Sequence, residues 1–136
     1  GHGHVVNISS ILGNTATEGC GVYNVTKAAV RMLGDSLRIE SRGKIKVTNI
    51  KPPSVAATGL VATEVDYNAG LAGVYSKIIN AFTQLGTSGL DDPESMKCFD
   101  FGPSIMADNI IYAINQPWGV DISELTIRAT NETMFV

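Results

Sequence analysis

Between His4 and Lys51 the hydrophobic period changes twice, and nothing else in the chain constrains its fold as tightly. His4-Val-Val-Asn-Ile-Ser-Ser10 is a short β-rich run, entered through Gly3 and left through a Gly/Thr-rich stretch that ends at Gly21. It predicts a buried strand. From Val22 to about Arg42 the apolar positions Val22, Val25, Ala29, Leu33 and Leu37 recur at steps of three and four, which predicts a helix with one apolar face. Gly43 follows as a natural stop. The run Ile45-Lys-Val-Thr-Asn-Ile-Lys51 then alternates and is rich in β-branched residues, predicting a second strand cut off by Pro52-Pro53.

Further on, a helix is expected across Val74–Leu85 and a loop across Thr87–Pro93. Ile105, Ile110, Ile111 and Ile114 mark another helix after Pro103, closed by Gln116-Pro117, and Asp121–Arg128 alternates as a third strand. The order strand, helix, strand, helix, strand predicts an α/β layer with a parallel sheet and right-handed crossovers. The 136 residues suit one modest domain, and 44% apolar against 17% charged residues argues against disorder. No window is apolar enough for a transmembrane helix. A net charge of −3 argues against a nucleic-acid partner. Cys20 and Cys98 are the only two cysteines and have no metal-ligand spacing, so reduced thiols in a cytoplasmic protein are expected and no metal site is. His2 and His4 lack a third ligand and a nucleophile elbow, and are expected to be ordinary residues of a turn before a strand. Residue 1 is Gly, not Met, which suggests a piece of something longer.

The candidate chemistry sits at the end of the first strand. Tyr23 and Lys27 are four residues apart on the predicted helix and so share a face. Ser10 closes the first strand, at the edge where open parallel sheets bind ligands. A phenol is a poor acid–base catalyst at neutral pH, and a neighbouring ammonium favours its phenolate. Tyr23 can then give a proton to a carbonyl oxygen or take one from an alcohol, while the Ser10 hydroxyl holds the same oxygen.

Asn7-Ile8-Ser9-Ser10 followed by Tyr23-Asn-Val-Thr-Lys27, with Tyr23 thirteen residues past Ser10 and Ala28-Ala29 after the Lys, resembles the active-site block of the short-chain dehydrogenase/reductases. The resemblance implies that Tyr23 is the acid–base residue, that Ser10 positions the substrate oxygen, and that Lys27 binds the nicotinamide ribose and supports the phenolate. Pro52-Pro53-Ser54-Val55-Ala-Ala-Thr58 resembles the family's Pro-Gly segment, which assigns nicotinamide contacts to Pro52, Val55 and Thr58. Pro53 departs from the family glycine, since proline cannot adopt the same range of backbone conformations. The spacing to Thr58, and the ending Gln116–Arg128, resemble the branch containing the 3-hydroxy acid dehydrogenases.

Gly1-His-Gly-His4 precedes a strand and is not the family's Gly-rich turn, which joins a strand to a helix and seats the pyrophosphate. The resemblance therefore implies that residues 1–136 are the C-terminal catalytic portion of a Rossmann-type doubly wound sheet. The portion would hold the last three parallel strands with their crossover helices, without the N-terminal nucleotide-binding half. The function implied is NAD- or NADP-dependent interconversion of a small-molecule alcohol and carbonyl by a homo-oligomer when intact, the isolated piece being inactive. The alternative is a non-catalytic Rossmann-like module for binding or assembly.

Overall fold

The computed structural model describes residues 1–17, 20–53, 55 and 102–130. Strand β1 (Gly3–Ile8) leads through a 3-10 turn (Ile11–Gly13) into helix α1 (Gly21–Glu40), and strand β2 (Ile45–Lys51) follows. Helix α2 (Pro103–Ile114) precedes strand β3 (Glu124–Thr126). The strands form one sheet in the order β1-β2-β3, and both pairs are parallel. The predicted α/β architecture is present. The expected helix at 74–85 and the loop at 87–93 lie outside the described residues, as do Thr58 and Cys98.

The register pairs Gly3 with Ile45 and Ile8 with Ile50, so like-numbered alternate residues of the two strands share a face. Asn7 and Asn49 lie on the face that α1 covers, while Val6 and Ile50 lie on the opposite face, with α2. On the α2 side Ile50, Met106 and Ala129 are buried together, with Val6, Val55, Ile110, Leu125 and Ile127 packed against them. Pro103 opens α2 at a position where its missing N–H costs no helical bond and its fixed φ suits the turn. At the other end of α1, Arg42 and Gly43 adopt positive φ (50° and 80°), which turns the chain from the helix into β2.

Two expectations change in detail. Only Glu124–Thr126 of the predicted 121–128 strand is regular, because Asp121 turns its carboxylate to the Val47 N–H at 3.3 Å instead of joining the ladder. Bonds on either side still extend the pairing, from Asn49 N–H to the Ser123 carbonyl and from Ile127 N–H to the Lys51 carbonyl. The apolar stripe of α1 is also not its sheet-facing side. Val22 is 82% exposed, Leu33 71% and Val25 68%, whereas Asn24 and Gly34 are buried. The contact face is small and polar because α1 lies close upon a pair of amides. A Cβ at Gly34 would stand 2.5 Å from Asn49 Oδ1 and 2.6 Å from Asn7 Nδ2. Only a glycine fits that approach without displacing the amides.

Candidate active site

After β1 the backbone stays extended and keeps pairing: Ser9 N–H donates to the Ile50 carbonyl (2.8 Å) and Ile11 N–H to the Pro52 carbonyl (3.1 Å). Ser10 is thus held at the C-terminal edge of the sheet, buried, with φ −163° and ψ 155°. Its Oγ accepts the Leu12 N–H at 3.1 Å, capping the 3-10 turn, and that bond leaves the hydroxyl proton free to be donated elsewhere. The turn exists because Ser10 closes its first bond from the side chain and Asn14 closes the last, donating its N–H to the Ile11 carbonyl.

Tyr23 lies in the first turn of α1, partly buried, with its ring against a small core of Ile11, Leu12 and Cys20. This core ties the ring to the residues directly after Ser10. Lys27, one helical turn on, extends back to the strand end. Its Nζ donates to the Ile8 carbonyl at 3.1 Å and stands 5.6 Å from the centroid of the Tyr23 ring.

Three supporting residues escape the sequence reading. Ser9 is buried, and its Oγ donates to the Lys27 carbonyl at 2.8 Å. Asn24, next to Tyr23, donates from Nδ2 to the Thr15 carbonyl at 2.7 Å and so ties Thr15 to the start of α1. Asn49 accepts from Asn7 Nδ2 at 3.0 Å and donates to the Arg31 carbonyl at 3.3 Å, joining both strands to α1. The signal that finds Asn7 and Asn49 is an amide inside an otherwise apolar or alternating strand, paired by a parallel register.

The remaining predicted site residues lie as follows. Pro52 follows β2 and gives its carbonyl to Ile11, as above. Val55 is partly buried in the core on the α2 side. His4 and His2 belong to the opposite end of β1: His4 Nε2 is 2.8 Å from Thr48 Oγ1, and the His2 ring lies 4.1 Å from the Trp118 ring, tilted by 40°. Burial, with the Lys46 ammonium beside it, holds His4 below the usual imidazole value, and Asp121 opposes that shift. Among the described residues no group of three His, Cys, Asp or Glu side chains is placed to hold a metal ion, and no helix is long and apolar enough to cross a membrane.

A strand-end serine and a Tyr and Lys one helical turn apart stand at the C-terminal edge of a parallel α/β sheet. A family model for short chain dehydrogenases matches residues 1–68, and the chain belongs to that family. An uncharacterized oxidoreductase of Staphylococcus haemolyticus is 33% identical over 94% of this chain and 43% of its own length. The glycine betaine reductase of Emericella nidulans is 32% identical over 97% of the chain and 9% of its own length. The chain thus spans less than half the length of these relatives. Among solved structures, actinorhodin polyketide ketoreductase with NADPH superposes with a TM-score of 0.64 at 21% identity, covering 96% of this chain and 48% of that one. Serine dehydrogenase from Escherichia coli gives 0.63 at 22% identity, covering 97% and 42%. Both share the fold.

Proposed function

We propose that the native gene product is an oxidoreductase that interconverts an alcohol and a carbonyl with NAD or NADP, and that residues 1–136 carry its acid–base machinery. The observation that carries this reading is the placement of Lys27 Nζ, 5.6 Å from the Tyr23 ring and bonded to the strand end that leads into Ser10. Tyr23 is the proton donor in reduction and the acceptor in oxidation. Ser10 donates its free hydroxyl proton to the substrate oxygen as charge develops there. Lys27 supports the phenolate and binds a ribose hydroxyl.

The donor set fits the nicotinamide end of such a cofactor: an ammonium and a phenol on one helix face, at the ligand-binding edge of a parallel sheet. Pro52, Val55 and Thr58, which follow β2, are assigned to the nicotinamide ring. When bound, the dinucleotide supplies or takes up the hydride. The family membership supports the reading, as do neighbours of the same fold described as a polyketide ketoreductase with NADPH and a short chain dehydrogenase bound to NAD.

The test is to incubate the native gene product with NADPH or NADH and a panel of aldehydes and ketones, following absorbance of the reduced nicotinamide. Carbonyl-dependent oxidation of either cofactor supports the proposal. Absence of turnover with every carbonyl, and with every alcohol in the reverse direction, contradicts it.

A further inference from the structure

Lys27 is held at both of its ends by two consecutive residues of the strand end. Its ammonium donates to the Ile8 carbonyl at 3.1 Å, and its own carbonyl accepts the Ser9 hydroxyl at 2.8 Å. Ser10 is the next residue. From the turn that follows, Gly13 presses on the same point of α1: a Cβ there would meet the Lys27 carbonyl carbon at 3.0 Å, Ala28 N at 3.1 Å and Lys27 Cβ at 3.2 Å. The Lys27 carbonyl lies inside a twenty-residue helix, where the helical ladder already supplies its first partner. The Ser9 bond is therefore a second bond to a satisfied carbonyl and rescues no orphan group of the helix.

We propose that Ser9 is a positioning residue for Lys27, fixing the height of the lysine along α1 against the strand that carries Ser10. The geometry gives the bond this consequence. A slide of α1 along the strand stretches the Ser9 bond and moves the root of the Lys27 side chain relative to Ile8 and Ser10 together. Tyr23 rides on the same helix, but its ring is also packed against Ile11, Leu12 and Cys20, whereas Lys27 reaches the strand end only through its extended side chain, so the larger share of the effect falls on the lysine. The inference rests on the reading of Lys27 as the cation that serves the cofactor ribose and the phenol. A hydroxyl that only satisfied itself would, when removed, alter stability and nothing else.

The experiment is a double-mutant cycle in the native gene product, measuring kcat and dinucleotide affinity for Ser9→Ala, Lys27→Met and the pair. A second arm repeats the cycle with Gly13→Ala, and Ser9→Thr serves as the variant that keeps the hydroxyl. Ser9→Ala should lower kcat and weaken dinucleotide binding by about 3- to 10-fold each, since small misplacements of catalytic groups have effects of this size or larger. In the Lys27→Met background the same substitution should change neither, because no ammonium remains to be misplaced. Gly13→Ala should show the same dependence on Lys27, and Ser9→Thr should restore most of the loss. Losses that multiply fully with Lys27→Met, or a Ser9→Ala variant equal to the parent in both quantities, overturn the positioning role and leave the function reading intact. A Lys27→Met variant with parental rate and affinity overturns that reading, and the positioning role with it.

Discussion

Lys27 Nζ and the Tyr23 ring stand 5.6 Å apart on one face of α1, and the ammonium is held there by the carbonyl of Ile8. The pair is brought together by the i, i+4 spacing of the helix and fixed by the end of a strand nineteen residues earlier in the chain. Chemistry on a helix is in this way aligned by bonds to the sheet.

Because Lys27 faces both the phenol and the proposed ribose site, Lys27→Met should weaken dinucleotide binding roughly 10-fold, the size of a lost charged hydrogen bond, and slow turnover as well. Ser10→Ala should slow turnover while leaving dinucleotide affinity unchanged, since its hydroxyl is assigned to the reacting oxygen and not to the dinucleotide. Fluorescence titration of the cofactor beside steady-state kinetics separates the two. Unaltered affinity in the Lys27 variant would refute its double role.

Gly34→Ala should destabilise the protein by about 1–2 kcal/mol. Alanine gains up to ~1 kcal/mol of helix propensity, but its methyl must displace the part-buried Asn7–Asn49 pair, and overpacking with a broken hydrogen bond more than offsets that gain. Urea unfolding measures the balance. A Gly34→Ala variant more stable than the parent would show that the amides move aside freely.

His4 ties a pH dependence to the fold. Its folded value lies below the ordinary 6.5, because burial and the Lys46 ammonium disfavour the charged ring more than Asp121 favours it. Between the folded value and 6.5 the unfolded chain binds the extra proton, so this contribution is complete above about pH 6.5 and is lost as pH falls through the folded value. His4→Gln should flatten the slope of stability against pH in that window. Thermal unfolding at a series of pH values checks it, and a slope as steep in the variant as in the parent would assign the effect to other groups.

Much of this was legible from local pattern. The period of β1 and β2, the helix between them, and the Tyr23–Lys27 pairing follow from side-chain repeats within a few residues, while Ser10 joins them through the family resemblance. The α1 stripe shows where local pattern stops: a three-four repeat reports an apolar face but not what covers it, and here the covered face holds Asn24 and Gly34. Asn7 and Asn49 could not be paired in advance, because 42 residues separate them and only the parallel register brings their amides together. The Ser9 bond to Lys27 was hidden for the same reason, being set by how closely Gly13 lets the turn approach the helix. The third strand was overextended because alternation at Asp121 resembled a strand, while the carboxylate found a better use on the Val47 N–H.

Steady-state kinetics of Tyr23→Phe in the native gene product test most directly whether Tyr23 moves the proton. Phenylalanine keeps the ring that packs on Ile11, Leu12 and Cys20, so the fold and its unfolding midpoint should be retained. Turnover should fall on the order of 100-fold or more, because only the acid–base oxygen is lost. A folded Tyr23→Phe enzyme that keeps most of its rate would show that another group moves the proton.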